Sequence, residues 1–388
     1  MTSKAQHIIS QYPVELQLIL LFSQDHLSGE AIEKIKRLEK QADWTLFFAL
    51  AKKHRLISHI TRSAYLLKPE IKKQVNTTHK ALSKKALLYS KHLISIHQIL
   101  KKEHIPHTFF KGPLLSLSLY HDIGFRDYRD LDILVPLSRI EVAKRRIQEQ
   151  GFVMHAPSLE LTPKQRKINY SISHHYHLRN PDDSTEIELH WNLTNPRTYL
   201  PLPTEKLIAE SENIEIAQNR LPYLSKEANL VFLAAHGAIH QWYRLFWLKD
   251  FSEMLRQSRT EEIEQAYTLA EKLKLEKTFA QGCRLSNILY NNTVPDCINR
   301  KNNTVFLTHC ALRAIADKDL RQQGIPGKIK FLGYRLHLKP DRHYFFSLLF
   351  RLRTHYSDWE VLPLPNSLFF LYYWLRPLIL FYKFLRKK

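Results

Sequence analysis

Residues 109–135 read FFKGPLLSLSLYHDIGFRDYRDLDILV, and this stretch decides the fold. It overlaps the short aromatic run Ile105–Phe110, whose composition predicts a β-strand. Lys111-Gly112 predicts a turn, and the proline after it suits the first position of a helix over residues 113–120. A loop then leads to Leu131–Val135, an apolar run that predicts a second strand.

The chain beyond this stretch continues to alternate helices and strands. Ser138 can cap a helix that ends at Gly151, and Phe152–His155 predicts a third strand. Thr185–Trp191 alternates polar and apolar residues, which predicts a fourth strand. This order indicates a small α/β or α+β unit of about 90 residues.

Helical periodicity flanks this unit on both sides. Apolar residues recur at three-to-four spacing, with prolines as breakers, in Ala31–Ala42, Trp44–Lys53, Thr78–Lys102, Ser225–Gln257, Glu261–Tyr290 and the chain after Asn302. The predicted fold class is therefore α+β, a small mixed sheet with helices, flanked by N- and C-terminal helical segments. The predicted domains are residues 1–103, 104–222 and 223–388.

The charge balance favours a polyanionic partner. Lys and Arg number 58 against 37 Asp and Glu, which gives a formal net charge of +21. Such an excess favours weak contact with RNA, binding of nucleotides, or contact with an anionic membrane surface. The alternative is a basic surface that serves solubility.

The cysteines and the apolar runs bear on the compartment. Cys283, Cys297 and Cys310 show neither CxxC nor zinc spacing, which is typical of a reducing compartment. The run Leu16–Phe22 predicts an amphipathic helix and not a signal peptide. No run reaches the roughly 20 apolar residues that span a bilayer, so we expect a cytoplasmic protein. The basic, aromatic segment Leu368–Lys388 either docks on the fold or lies on a membrane surface.

Two carboxylates mark the second predicted strand. Asp130 and Asp132 are two residues apart, so their side chains point to the same face. Neighbouring carboxylates beside a buried strand are costly unless a cation pairs with them. Magnesium, which takes carboxylates together with substrate phosphates, is the natural partner, and the alternative is a solvated pair at the strand entrance.

Residues upstream of this pair have the chemistry to hold a phosphate. Gly112 lets the backbone approach a phosphate closely, and the helix N-terminus after it favours an anion. Lys111 supplies a charge, and Arg126 can make a bidentate phosphate contact. For each of the two cations, the alternative is an ordinary surface charge.

The fourth predicted strand offers a third acid. Glu186, Glu188 and His190 share one face of this strand, while Ile187, Leu189 and Trp191 share the other. A strand of this kind packs through its apolar face and presents acids on its polar face. The alternative is an exposed face of a sheet without chemistry.

These motifs together resemble a known family. The stretch at 109–135, the later EIELHWNL and the segment AAHGAIHQWYRLFWLKDF are similar to the large, poorly characterised bacterial nucleotidyltransferase family of the polymerase-β superfamily. That family has a KG turn, a Leu/Tyr-rich helix, an R…DLDLLV strand, a DLHW strand and an H…R-L-W…D helix. The resemblance runs from Asp43-Trp44 to Asp250-Phe251 and, more loosely, to Arg376-Pro377.

The resemblance implies a polymerase-β-like core and a metal-dependent active site. It implies that Mg²⁺ or Mn²⁺ is bound by three catalytic acids, Asp130, Asp132 and Glu188, although the family usually has Asp at the third position. The implied reaction transfers a nucleotide from an NTP to an acceptor hydroxyl on a sugar, small molecule, protein or tRNA. The alternative is a non-catalytic basic module that binds RNA or a membrane, and the three intact acids argue against it.

The resemblance also places Lys111, Gly112 and Arg126 at the phosphates of the NTP. The wider superfamily has Gly-Gly or Gly-Ser in the phosphate turn, so the Lys-Gly of this chain implies a different grip.

Two histidine groups complete the candidates. The segment His236–Asp250 spaces His, His, Arg, Trp and Asp along one predicted helix face. We expect this face to pack against the catalytic unit and to form hydrogen bonds near the nucleotide rather than to bind a metal. His174, His175 and His177 predict a loop cluster that is solvated or contacts substrate.

Overall fold

The computed structural model describes residues 3–295, 297–298, 302–316, 324–350 and 353–386. Within them, seven strands form one mixed sheet: β1 Thr108–Phe110, β2 Asp130–Leu134, β3 Val153–Ala156, β4 His175–Arg179, β5 Glu186–His190, β6 Glu212–Ile216 and β7 Asn219–Tyr223. The sheet order is β3-β4-β5-β2-β1-β7-β6. The pairs β2–β5 and β1–β7 are parallel and the others antiparallel.

Helices make up most of the remaining chain. In chain order they are α1 Ser3–Ser10, α2 Val14–Phe22, α3 Gly29–Glu39, α4 Trp44–His54, α5 Ile57–Thr61, α6 Pro69–Lys102, α7 Gly112–Tyr120, α8 Ile140–Gln148, α9 Pro163–Ile172, α10 Thr204–Ala209, α11 Lys226–Ile239, α12 Leu245–Arg256, α13 Thr260–Lys272, α14 Glu276–Tyr290, α15 Val305–Ile315, α16 Gly324–Leu338, α17 Arg342–Phe350, α18 Tyr356–Val361 and α19 Tyr372–Arg386. The protein is thus a mixed α+β protein, as the sequence predicts.

The chain forms two compact units, each assembled from separate stretches. The helical unit comprises residues 1–92, 111–128 and 225–339. The sheet unit comprises residues 93–110, 129–224 and 340–388, and it holds all seven strands of the sheet. The three contiguous domains expected from the sequence stay a prediction.

The apolar face of the sheet forms the core of the sheet unit. Alternation along β2, β4 and β5 places six buried side chains on this face: Leu131, Ile133, Tyr176, Leu178, Ile187 and Leu189. Helix α8 packs against β5, and its Glu141 accepts hydrogen bonds from the hydroxyls of Tyr170 and Tyr176 at 2.7 and 2.8 Å. The opposite face of the same strands is left for polar side chains.

The elements around residues 109–135 agree with their prediction within one to three residues. The strand β1 begins at Thr108 rather than Ile105. Pro106 has no N–H to give to a strand partner, which is consistent with the later start. Helix α7 and strand β2 lie where the pattern places them.

Other parts of the sheet unit correct the prediction. Ser138 is not a helix cap, because it lies in a 3-10 turn, Leu137–Arg139, and α8 begins after it without a side-chain cap. The prediction also missed β4 and the hairpin of β6 and β7. Strand β4 contains two histidines and β7 contains Pro222, and neither residue type signals a strand.

The helical unit corrects two further expectations. Helix α2 is not amphipathic, because leucines and isoleucines all around it are buried. Pro69, one of the prolines expected to break the helical pattern, does follow a break at residues 67–68 and is the first residue of α6. The segment His236–Asp250 is not one helix: α11 ends at Ile239, and Trp242 folds back against Gly237 so closely that a Cβ there would lie 2.1 Å from the indole ring.

The last helix, α19, docks on the sheet unit through one face. Tyr372 and Ile379 are buried in a cluster with Leu161, Ile172 and Trp359. The buried face of α19 therefore agrees with the expectation that this segment docks on the fold. Among the described residues, no helix has the length and apolar composition needed to cross a membrane.

Candidate metal centre and active site

The register of β2 and β5 brings the predicted acids onto one face of the sheet. Asp130 lies opposite Glu186, and Asp132 lies opposite Glu188. Residues paired in this way project their side chains to the same side. The next pair, Leu134 and His190, adds an imidazole to the row beside the acids.

Strand β4 extends this polar face with further imidazoles. His175 lies opposite His190, and His177 lies opposite Glu188. The expectation of a loop cluster is thus wrong for His175 and His177, because they alternate with the core residues Tyr176 and Leu178 in a strand. The period-two pattern of this stretch was the signal that could have identified the strand.

His190 sits between two of the acids. Its Nε2 lies 3.4 Å from Oδ1 of Asp132 and 3.2 Å from Oε2 of Glu188. The side chains of Asp132 and His190 are 0% and 2% exposed, whereas Glu188 is 24% exposed. Of these three side chains, Glu188 is therefore the one that solvent reaches most easily.

The acids control the protonation of this imidazole. Burial by itself lowers the pKa of His190, but hydrogen bonds to Asp132 and Glu188 and their charges outweigh burial, so the net shift is upward. A protonated imidazole then supplies the positive charge that two adjacent carboxylates need. A bound cation would supply the same charge.

The donor atoms fit a metal ion. Asp132, Glu188 and His190 each offer one ligand atom, and the three atoms lie within 4.8 Å of one another. Two ligands of one Mg²⁺, each at about 2.1 Å, can be no more than about 4.2 Å apart, so small side-chain adjustments suffice. Asp130 lies in the adjacent row of the same face.

Glu186 lies beside a different partner. Its Oε2 is 3.5 Å from Nε2 of His177. It faces Asp130 across the strands, whereas Glu188 faces Asp132. The structure thus separates the two glutamates by one row of the sheet.

The predicted phosphate turn belongs to the helical unit. Lys111 and Gly112 both have positive φ angles, 65° and 53°, at the start of α7. This conformation is easy for glycine and strained for lysine. The Lys111 ammonium lies 5.5 Å from the centre of the Phe232 ring, a cation–π contact.

Arg126 lies inside the helical unit. Its Nε donates to Oδ2 of Asp250 at 2.6 Å, and both side chains are nearly inaccessible. The Tyr120 hydroxyl donates to the other oxygen of Asp250 at 2.9 Å. Arg126 thus has a buried structural partner, and its contact with a phosphate stays a prediction.

The two histidines of the segment His236–Asp250 pack against a tryptophan although the helix is broken. The ring of His240 stacks on Trp247 with centres 5.0 Å apart, and His236 meets the same indole edge-on at 5.3 Å. These contacts lie within the segment itself, so both roles expected for it stay predictions.

Comparison with known proteins shows the family to which the sequence is similar. Residues 40–291 match the sequence model of a family described as uncharacterised nucleotidyltransferase. No curated protein matches the chain. Among solved structures, the chain is similar to the crystal structure of an antigenic nucleotidyltransferase-like protein from Paracoccidioides brasiliensis, with 14% identity, coverage of 56% of this chain and 96% of that chain, and a TM-score of 0.32.

Proposed function

This chain belongs to the uncharacterised nucleotidyltransferase family, and from that premise we propose that it transfers a nucleotide from an NTP to an acceptor hydroxyl in a metal-dependent reaction. The observation that carries the proposal is the pairing of Asp132 with Glu188 across parallel strands, with Asp130 on the same face. A non-catalytic basic module would gain nothing from three acids on one face, because they repel a phosphate.

We propose that the sheet has a polymerase-β-like core. The support is the order of elements: a strand, the Lys111-Gly112 turn, a helix, and then a strand with two acids beside a parallel strand with the third. The superfamily resemblance of the motifs points to the same core.

The proposed chemistry is an in-line displacement at the α-phosphate. The acceptor hydroxyl loses its proton to solvent water as its oxygen forms a bond to phosphorus. The bond from phosphorus to pyrophosphate breaks, and pyrophosphate leaves with the electron pair of that bond. Asp130, Asp132 and Glu188 would hold Mg²⁺ or Mn²⁺, which would lower the pKa of the hydroxyl and neutralise the leaving group. Asp132 and Glu188 are in turn oriented by His190, which lies within hydrogen-bonding reach of Glu188.

We propose that the Lys111-Gly112 turn contacts the phosphates of the NTP. Lys111 would pair with the triphosphate, and Gly112 would allow close approach of the backbone. Arg126 keeps its predicted contact only if it leaves Asp250, so a positioning role is the better-supported assignment for it.

The test of function is transfer itself. Each α-labelled NTP is incubated with the protein and Mg²⁺ against tRNA, total RNA, a protein extract and a metabolite mixture. We expect label to move to one acceptor class and pyrophosphate to appear in equal amount. No transfer with any NTP, together with no metal-dependent NTP binding, would overturn the proposal and favour the non-catalytic module.

The net charge of +21 suggests RNA as a weak partner. RNA binding that neutralises several phosphates falls steeply with salt, by about 0.9 log units per phosphate for each tenfold increase on a duplex. An RNA acceptor is supported only if one RNA binds above competitor at physiological salt and also takes label. Loss of all RNA binding at that salt, without labelling, would assign the acceptor to small molecules or proteins.

A second proposal concerns the free face of α19, which we propose lies on an anionic membrane surface. Trp374, Leu378, Phe381 and Leu385 follow one another at helical spacing and are 80%, 66%, 61% and 53% exposed. The helix ends in the exposed Arg386, followed in sequence by two lysines. An apolar stripe beside basic residues is typical of helices that lie in the interface of anionic lipids.

Vesicle flotation tests this contact. The protein should float with phosphatidylglycerol vesicles and not with phosphatidylcholine vesicles, and Trp374→Ser/Phe381→Ser should lose at least tenfold in binding. Tyr65→Ser, which removes an exposed aromatic residue of the helical unit, is the matched control. Equal binding of both variants, or a dimer in sedimentation that the double variant disrupts, would overturn the membrane assignment.

A further inference from the structure

Three imidazoles meet at the edge of the acidic row. His174, His175 and His190 each offer one nitrogen, and the three nitrogens lie within 4.8 Å of one another. The ring centres of His174 and His175 are 4.3 Å apart, and those of His175 and His190 are 4.9 Å apart. His190 is buried, while the other two are half-buried and accessible from outside.

The hydrogen bonds around His190 orient it as a ligand. Its Nδ1 lies 3.3 Å from the carbonyl oxygen of Asn192, an acceptor, so Nδ1 carries the proton in the neutral ring. Its Nε2 faces the acidic row, so the Nε2 proton is the one that a metal ion would displace. A backbone carbonyl that fixes the tautomer in this way is the usual support of a metal-ligating histidine.

His175 approaches the same point from the neighbouring strand. Its Nε2 lies 3.8 Å from Oε1 of Glu188, and its Nδ1 lies 3.2 Å from Nε2 of His174. The pairing of His175 with His190 across antiparallel strands fixes their mutual position by the backbone. The sheet backbone therefore fixes two members of the cluster, and the third, His174, directly precedes β4.

The donor chemistry selects the ion. Imidazole nitrogens bind Zn²⁺ and the other later first-row ions, whereas Mg²⁺ prefers oxygen ligands and keeps its water. Three histidines with an adjacent carboxylate match the composition of zinc sites.

We propose that His174, His175 and His190 form a binding site for a first-row transition-metal ion, with Zn²⁺ as the expected occupant. The site shares His190 with the row that holds Asp132 and Glu188, so it adjoins the proposed Mg²⁺ position without depending on nucleotidyl transfer.

Metal titration of the whole protein tests the site directly. Protein stripped of metal is titrated with Co²⁺ and Zn²⁺ in excess Mg²⁺, in a Cys297→Ser background that removes an exposed thiol. We expect one equivalent of Co²⁺ with the intense visible absorption of a site of low coordination number, displaced by Zn²⁺ and not by Mg²⁺. The double variant His174→Asn/His175→Asn should bind at least tenfold more weakly.

A matched variant controls for general loss of histidines. His155→Asn removes an imidazole that packs on His177 at 4.9 Å in the adjoining strands but lies outside the three-residue cluster. It should leave the titration unchanged. Circular dichroism establishes that each variant is folded, and His175→Asn alone replaces the double variant if that protein is unstable.

Two outcomes would overturn the site. One is wild-type protein that takes up no Zn²⁺ in the presence of Mg²⁺. The other is a folded double variant that keeps the same equivalent at the same affinity. Neither depends on transfer activity, so the result is distinct from failure of the proposed function.

Discussion

The two units bury charge in different ways. In the helical unit, Arg126 is paired with Asp250 at 2.6 Å, and the buried Lys249 lies 2.7 Å from Asp25. In the sheet unit, Asp132 and Glu188 lie beside imidazoles: His190 is near both acids, and His175 is 3.8 Å from Glu188. The first arrangement pairs carboxylates with Arg and Lys side chains, whereas the second pairs them with imidazoles, which are charged only when protonated. A metal ion can take the place of the imidazole proton beside the carboxylates, which an Arg–carboxylate pair does not allow.

The largest expected effect follows from removing one of the two acids beside His190. Asp132→Asn keeps the shape of the side chain and removes the charge that a metal would need. We expect nucleotidyl transfer to fall by several orders of magnitude, about 10³-fold or more, because a bound metal supplies much of the stabilisation. Transfer of label by purified protein is the measurement.

A matched substitution shows whether charge alone matters. Asp182→Asn removes an exposed carboxylate in the turn before β5 and should retain wild-type transfer. Thermal melting of Asp132→Asn should resemble the wild type. Substantial activity in a folded Asp132→Asn protein would show that the metal assignment is wrong.

The next largest effect concerns the buried pair of Arg126 and Asp250. Arg126→Met leaves the Asp250 carboxylate buried without the guanidinium beside it, while the hydrogen bond from the Tyr120 hydroxyl remains. We expect a loss of about 3–5 kcal/mol in the free energy of unfolding, measured by urea denaturation. The double variant Arg126→Met/Asp250→Leu should recover part of this loss, because no uncompensated charge remains.

A surface arginine gives the comparison. Arg146 lies 3.0 Å from Glu149, but its side chain is 36% exposed and solvent screens the pair, so Arg146→Met should destabilise the protein far less than Arg126→Met. Equal losses for both single variants would show that burial of the Arg126 pair does not govern its contribution.

A smaller effect separates the two glutamates of β5. Glu188 faces Asp132 and lies beside His190, whereas Glu186 faces Asp130 and lies beside His177. Glu188→Gln should weaken Mn²⁺ binding by about 10–100-fold, as loss of a ligand or its support does. Titration of Glu188→Gln and Glu186→Gln with Mn²⁺ shows which glutamate is the third ligand. A greater loss of Mn²⁺ affinity in Glu186→Gln would reverse the assignment.

The sequence was sufficient for the local features of this site. The two aspartates on β2, the turn at Lys111-Gly112 and the alternation of β5 are patterns within a few residues, where strand and turn chemistry decide the structure. The family resemblance added the choice of Glu188, which spacing alone does not distinguish from Glu186.

The sequence was insufficient where distant residues decide. Arg126 looked like a free cation because its partner, Asp250, is 124 residues away. Strand β4 forms only by pairing with β3 and β5, and its histidines have no strong preference for strands. For both features, tertiary contacts outweigh local preference.

The smallest effect is a dependence of stability on pH that arises in the helical unit. His54 is fully buried, and burial, with Lys53 and Arg244 nearby, lowers its pKa to about 3. Burial also lowers the pKa of His59 in the same unit. The acids beside His190 raise the pKa of that imidazole instead, so the histidine pKa values differ in direction between the two units.

The sign follows from proton uptake. An unfolded histidine has a pKa of about 6.5, so below that pH the unfolded chain takes up a proton that folded His54 does not. Stability is therefore complete above pH 6.5 and falls by about 1.4 kcal/mol per pH unit toward pH 3, which gives about 2 kcal/mol at pH 5. Urea denaturation at pH 7 and pH 5 measures the difference.

The variant His54→Asn tests which group is responsible. Asn keeps an acceptor for the Leu245 N–H, which lies 3.1 Å from Nδ1 of His54. This variant should reduce the dependence of stability on pH, whereas replacement of the exposed His121 by Asn should not. An unchanged slope in His54→Asn would mean that His54 is not the group whose protonation limits the acid stability of this unit.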